Sequence, residues 1–188
     1  MASKRKIILG LIGQLAAGKG TVTNYLKKNH LAVSFRYSDP LRKTLEIFDL
    51  DISRDNMQTL STILRHNFGE NLLAKAMLKQ GNNSDAEIVV IDGIRRFTDI
   101  ENFSSLENFY LVYISTDQEI RYKRYILRNE NIGDDSMTFE EFVKKDQAEA
   151  DRQVPEVAKK ANLKIDNNGS LEELYEQIAD ILAKIVKN

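Results

Sequence analysis

Apolar positions along this chain fall into two rhythms that alternate from one end to the other. Short continuous runs occupy residues 7–12 (Ile-Ile-Leu-Gly-Leu-Ile), 33–37, 87–92 (Glu-Ile-Val-Val-Ile-Asp), 109–114 and 163–166. Runs that are apolar without alternation are what a strand buried on both faces requires. Most of the stretches between them repeat apolar residues every three or four positions, as a helix with one buried face does. They predict helices over 21–29, 40–48, 56–79, 97–106, 117–128 and 138–151, and a short helix from Pro155. A last helix follows Ser170 and carries Leu171, Leu174, Ile178, Ile181, Leu182 and Ile185. Pro40 suits a first helical turn, with Ser38 or Asp39 as its cap. Thr138 with Glu141 three residues on is the pattern of a capping box. Gly69 stands where the long 56–79 helix would break or bend, and residues 81–85 read as a turn.

Strand and helix in alternation imply an α/β fold: a five-stranded, mostly parallel sheet, strand 7–12 at its centre, helices on both faces. In such sheets ligands lie outside the carboxyl ends of the strands. That rule gathers residues 13–21, 38–42, 92–96, 115–116 and 166–169 along one edge.

Composition narrows the chemistry. A chain of 188 residues, 42% hydrophobic and 29% charged, most simply forms one globular domain over 1–188. A net charge of −1 argues against a general nucleic-acid or membrane surface. The absence of cysteine excludes disulfides, thiol catalysis and thiolate metal sites, and two histidines, His30 and His66, argue against a histidine metal cluster. The basic first six residues precede too short an apolar run for a secretory signal. No stretch approaches the ~20 apolar residues of a membrane helix. A cytoplasmic protein without nucleic-acid or membrane partners is expected; the sequence specifies no oligomeric state.

The sharpest chemical signal is Gly13-Gln14-Leu15-Ala16-Ala17-Gly18-Lys19-Gly20-Thr21, a Gly-x-x-x-x-Gly-Lys loop between a predicted strand and a predicted helix. Glycines let the backbone curl so that successive N–H groups point at one anion, and the helix N-terminus adds partial positive charge there. Lys19 supplies a full charge for β- and γ-phosphates. The implied ligand is ATP with Mg2+. The usual pattern has Ser or Thr directly after the lysine; here Gly20 intervenes, and Thr21 becomes the candidate hydroxyl for the metal.

Other polar residues fall on the same edge. Asp92 ends a strand, where a carboxylate can hold a magnesium-bound water or orient an acceptor, or equally cap the next helix. Arg95 and Arg96 come next; one is expected to face substrate phosphate. Asp39 and Arg42 follow the second strand and could face an acceptor together, although Asp39 can simply cap the Pro40 helix. Arg65, within the long helix, could reach the same acceptor or be solvated. Arg121, Arg124 and Arg128, three and four apart, share one helix face. A cationic face ahead of a polar loop suits a lid over 121–151 that cancels charge on a transferring phosphoryl group and excludes water. The plain alternative is a solvated face paired with Glu119, Glu130 or Asp134.

Taken in order, these elements resemble the nucleoside monophosphate kinase-like group of P-loop kinases, over nearly the whole chain. Gly18-Lys19-Gly20-Thr21 is similar to the loop of adenylate kinases, without the extra glycine those enzymes place where Ala16 stands. Asp92-Gly93-Ile94-Arg95, Asp134-Asp135 and Thr138 to Asp146 resemble segments of adenylate-kinase-related and dephospho-coenzyme A kinase-like proteins. Tyr37-Ser38-Asp39-Pro40-Leu41-Arg42 is similar to viral deoxynucleoside monophosphate kinases. The resemblance implies a three-layer P-loop NTPase fold with acceptor-binding helices over 38–80 and a helical lid. It places the turn at Asn168 and Gly169 beside the adenine. The expected activity is ATP-dependent phosphorylation of a nucleoside or deoxynucleoside monophosphate. Lys19, Arg124, Arg128, Asp92 and Asp39 would be catalytic, Asp39, Arg42, Arg65 and Arg95 would hold the acceptor, and Thr21 and Asp92 the metal. Two alternatives stand beside it. A dephospho-coenzyme A kinase would need Asp39 or Asp92 as base for a ribose hydroxyl. A regulatory NTPase would use the same loop without an acceptor.

Overall fold

The computed structural model describes residues 6–128, 135–147 and 152–187. Five strands form one sheet: β1 (Ile7–Ile12), β2 (Val33–Arg36), β3 (Ile88–Ile94), β4 (Phe109–Ser115) and β5 (Leu163–Asp166). Their order is β2-β3-β1-β4-β5, and every neighbouring pair is parallel. From β1 the chain goes outward on one side to β2, fills the gap with β3, and only then crosses to β4 and β5. The carboxyl end of β1 is therefore the switch point, where a crevice opens.

Two cores flank the sheet because successive strand residues point to opposite faces. One face carries Ile8, Ile12, Val89, Ile91, Ile94 and Leu111 against α2 (Asp39–Ile47), α4 (Leu72–Asn83) and α8 (Val154–Ala158). The other carries Leu9, Leu11, Val90, Val112, Ile114 and Ile165 against α1 (Lys19–His30) and α9 (Leu171–Lys187). Burial of each such side chain is worth about 1.5–3 kcal/mol. That outweighs weak local propensities and explains why the strand runs alone were so legible. The remaining helices are α3 (Arg54–Phe68), α5 (Phe97–Ile100), α6 (Gln118–Arg128) and α7 (Phe139–Asp146). Among the described residues no helix is long and apolar enough to cross a membrane.

Four expected elements are corrected. The single helix over 56–79 is two, α3 and α4, because Gly69 takes φ 104 and closes α3 through its N–H on Arg65 O at 2.9 Å. A left-handed residue there ends a helix, and glycine bears it without a Cβ clash. Helix α4 then runs through Gly81-Asn82-Asn83, expected as turn; Lys6 Nζ donates to the carbonyls of Gly81, Asn82 and Ser84 at 3.1, 3.0 and 2.6 Å and satisfies its end. The helix expected over 97–106 is only α5. The helix expected over 138–151 ends at Asp146, with Gln147 as its C-cap residue. The polar connection at Glu130, Gly133 and Asp134, and residues 148–151, lie outside the described residues.

Candidate functional site

The phosphate loop leaves β1 at the switch point and opens α1. Its last glycine before the lysine, Gly18, is the N-cap residue, with φ 100. Its φ requires glycine, and a Cβ there would lie 2.1 Å from Asn167 Nδ2, displacing that amide from Ala17 O. Gly18 brings no side-chain cap, and no acidic residue stands in the first turn of α1. The positive end of this helix is thus left without a carboxylate of its own. Lys19 Nζ donates to Gly13 O at 2.6 Å and Gln14 O at 3.1 Å, so its ammonium lies over the start of the loop. Ala16 holds φ 58, the left-handed conformation that a glycine would take at no cost. Gly20 has open space where a Cβ would stand. Thr21 is partly exposed in the first turn.

The loop is held from beneath at its carbonyls. Ala17 O accepts from Thr116 Oγ1 at 3.0 Å and from Asn167 Nδ2 at 2.9 Å. Leu15 O accepts from Arg121 Nη1 at 3.1 Å. The Asn167 bond brings the turn after β5 against the loop, and Asn167 N donates to Ser115 O at 2.8 Å. Asn168 Oδ1 accepts the Asp117 N–H at 2.8 Å, and Gly169 is exposed beside Glu173. Arg124 Nη1 donates to Asn167 O at 2.9 Å, which sets that arginine at the same turn. Arg128 is exposed, its guanidinium 5.9 Å from the centroid of the Tyr125 ring.

One expectation for this region is corrected. Arg121 belongs neither to the cationic lid face expected with Arg124 and Arg128 nor to the solvated face that is its alternative. It is 2% exposed and paired through both terminal nitrogens with both oxygens of Asp146, at 2.7 Å each.

Across the switch point, Asp92 lies on β3 opposite Leu11 of β1, at the last regular register position before the loop. It is buried, and its Oδ1 has no hydrogen-bond partner. Its other oxygen is 3.7 Å from Arg36 Nε, at the end of β2. An orphaned carboxylate oxygen at the carboxyl edge of a parallel sheet is suited to a hydrated cation or a donor on a bound molecule. Among the described residues no group of three or more acidic or histidine side chains is gathered to hold a metal. Magnesium kept largely by phosphates and water needs only one or two protein oxygens, and Asp92 and Thr21 fit that demand.

The turn after β3 is organised by Asp99. Its Oδ2 accepts the N–H groups of Arg95 and Arg96, each at 3.0 Å, and its Oδ1 accepts Arg65 Nη2 at 2.7 Å. Tyr37 donates its hydroxyl to Asp99 O at 2.7 Å. Burial, then the nearby Asp99 carboxylate, push the Tyr37 hydroxyl far above its ordinary 10.0, so it remains a donor. Arg65 Nη1 also reaches Glu70 O at 2.5 Å. The expectation that Arg65 is presented to an acceptor, or solvated, is therefore corrected. At 5% exposure it is an internal brace. Arg95 and Arg42 are exposed, and Arg96 lies 3.6 Å from Glu70. Asp39 is exposed in the first turn of α2, where its Oδ2 accepts the Arg36 N–H at 3.0 Å. Ser38 is the N-cap residue but makes no side-chain cap bond.

Sequence reasoning passed over Asp99, Asn167 and Arg36. Arg36 could have been found as the last residue of a strand on the ligand-bearing edge. Asn167 acts on a backbone carbonyl 150 positions away and leaves no local signal. Asp99 is the N3 acid of α5 and accepts the N–H groups of Arg95 and Arg96 just before it, a local capping pattern, while its bond from Arg65 spans 34 positions.

No family model matches the chain. A UPF0200 protein of Methanocaldococcus jannaschii is 28% identical over 184 residues, which span 97% of this chain and 92% of the relative. The crystal structure of a shikimate kinase from Bacteroides thetaiotaomicron superposes with a TM-score of 0.61 at 11% identity, covering 95% of this chain and 98% of that one. A gluconokinase from Sinorhizobium meliloti gives 0.56 at 14% identity, covering 98% and 95%. These likenesses, with the parallel sheet and its flanking helices, show that the chain has the fold of the P-loop kinases.

Proposed function

We propose that this protein is an ATP-dependent phosphotransferase that phosphorylates a nucleoside or deoxynucleoside monophosphate. The observation that carries the reading is the uncapped N-terminus of α1 behind Lys19, set one strand from the unpartnered Oδ1 of Asp92. One half of that pair suits phosphate; the other suits what must stand near transferring phosphate.

In this reading the loop amides and Lys19 hold the β- and γ-phosphates, and the turn at Asn168 and Gly169 borders the base. Magnesium, bound with ATP, would cancel charge on phosphate oxygens, with Thr21 and Asp92 as its protein holders. Arg124, fixed at the Asn167 carbonyl, and Arg128 stabilise charge on the group in transit, within a lid built on 121–151. Arg42 and Arg95 hold the acceptor phosphate, in an acceptor region formed by residues 38–80. Asp39 orients that region from the first turn of α2. Arg65 positions the turn after β3 rather than touching substrate. An acceptor phosphate is already ionised at neutral pH and needs no base.

The free Oδ1 of Asp92 also favours a second reading, dephospho-coenzyme A kinase, because a ribose hydroxyl does need a base. ATP consumption should be assayed against a panel of ribo- and deoxyribonucleoside monophosphates and dephospho-coenzyme A. Transfer to a monophosphate is expected; transfer only to dephospho-coenzyme A would select the second reading, and hydrolysis without transfer would remove both. Lys19→Ala should lower the rate by about 10²–10³-fold without lowering the thermal midpoint, as loss of one oriented donor at developing charge does. Near-normal turnover in the folded variant would refute the phosphate-loop assignment.

A further inference from the structure

We propose that Arg121 and Asp146 form a positioning pair that aims a phosphate-loop amide at the nucleotide and couples the filling of the loop to helix α7. The proposal rests on the ATP-site reading above. Arg121 reaches in three directions at once. Its Nε donates to Thr116 O at 3.1 Å, its Nη1 to Leu15 O at 3.1 Å and to Asp146 Oδ1 at 2.7 Å, and its Nη2 to Asp146 Oδ2 at 2.7 Å. Gln118 Nε2 adds a donor to Asp146 Oδ2 at 3.2 Å. Both charged side chains are 2% exposed. A planar fork that satisfies a carboxylate and two carbonyls together is specific to arginine.

In a trans peptide the carbonyl of one residue and the N–H of the next point in opposite directions. Holding Leu15 O toward Arg121 therefore turns the Ala16 N–H the other way, out of the loop's underside. Thr116 and Asn167, by holding Ala17 O, do the same for the Gly18 N–H. The loop's amides are aimed by donors behind it, and Arg121 is the one of these that carries charge. That charge is the reason for Asp146. A buried guanidinium without a counter-ion would be costly, and one step from the loop it would itself compete for the phosphates. Asp146 neutralises it, and because Asp146 ends α7, the helix is tied to the loop through a single side chain. A phosphate that tightens the loop's amides must tighten Leu15 O, then Arg121, then Asp146. Resistance to local opening in α7 should therefore rise when the loop is filled.

The full-length protein would be titrated with ATP and Mg2+, with amide hydrogen exchange followed over residues 13–21 and 139–146 and thermal midpoints recorded. In the parent protein ATP is expected to slow exchange in both segments. Arg121→Lys keeps the charge but not the fork. It should weaken ATP binding by about tenfold, the loss of one hydrogen bond to an ordered peptide, and abolish the response of 139–146. The double variant Arg121→Met, Asp146→Leu replaces the pair by apolar side chains of similar bulk and should also lose the response, with its thermal midpoint retained. ATP affinity within about twofold of the parent, or a persisting response of 139–146, in a folded variant overturns the proposal. Tight binding in the parent with unchanged exchange over 139–146 overturns the coupling alone. No ATP binding in the parent removes the nucleotide-site reading and the coupling with it.

Discussion

Gly20 leaves empty a place that phosphate loops usually fill with a hydroxyl side chain, and nothing lies within 4 Å of where its Cβ would be. It stands in the first turn of α1, where glycine costs the helix about 0.5–1 kcal/mol relative to alanine. Gly20→Ala should therefore stabilise the fold by up to about that amount, read as a higher thermal midpoint. If the space is where phosphate oxygens and their cation come to rest, the same substitution weakens ATP binding. A denaturant melt and an ATP titration on one variant separate the two: a gain in stability alone would mean that Gly20 serves no ligand. The arginines teach a related lesson about single residues. Arg65 and Arg121 read as surface or substrate-facing cations because sequence shows a charge and a helix face, not a partner. Their carboxylates stand 34 and 25 positions away, and only the fold brings them together. The glycine loop between β1 and α1 was legible because all its parts are contiguous. The two buried pairs were not, because each is an agreement between distant segments.

At the level of elements, periodicity located all five strands, and β1 and β5 to the residue. Buried parallel strands are read well because tertiary burial and local pattern say the same thing. The capping box at Thr138 was likewise legible, and Glu141 Oε2 accepts the Thr138 N–H at 2.8 Å. The failures lie at helix ends: the positive φ of Gly69 decides the end of α3, and a contact from elsewhere decides the end of α4. Helix α4 persists through two asparagines because Lys6, more than seventy positions earlier, brings a cation to its last carbonyls. A cation at a helix C-terminus is worth about 0.3–1 kcal/mol, and up to about 2 when partly buried. Lys6→Met should cost the protein about 0.5–2 kcal/mol and speed amide exchange chiefly over residues 80–84. A loss of stability spread evenly over α4 and β3, with its C-terminal amides no worse than the rest, would show that Lys6 acts by some route other than closing the helix.

For the molecule as a whole, the two buried arginine–aspartate pairs divide the labour of the crevice. Arg65 and Asp99 bind together α3, the carbonyl before α4, Tyr37 after β2 and the turn after β3. Arg121 and Asp146 bind together the loop after β1, the segment after β4 and α7. Among the described residues the two networks share no residue; one organises the segments after β2 and β3, the other those after the adjacent β1 and β4. Each brace thus serves one side of the proposed transfer, the acceptor's or the nucleotide's. Removing one partner of a buried pair costs about 3–5 kcal/mol, against a total stability of about 5–15 kcal/mol for a domain. Either loss alone is survivable; both together bring the protein near unfolding. Arg65→Met should therefore raise KM for the acceptor far more than KM for ATP, and Arg121→Lys should do the reverse. The double variant should lose the sum of the two stabilities to within about 0.3–0.5 kcal/mol, as separate sites do. Urea melts of the four proteins, with both KM values measured for each, test this. A coupling energy above about 1 kcal/mol, or an ATP KM that follows Arg65, would mean that the halves are one network joined through the sheet.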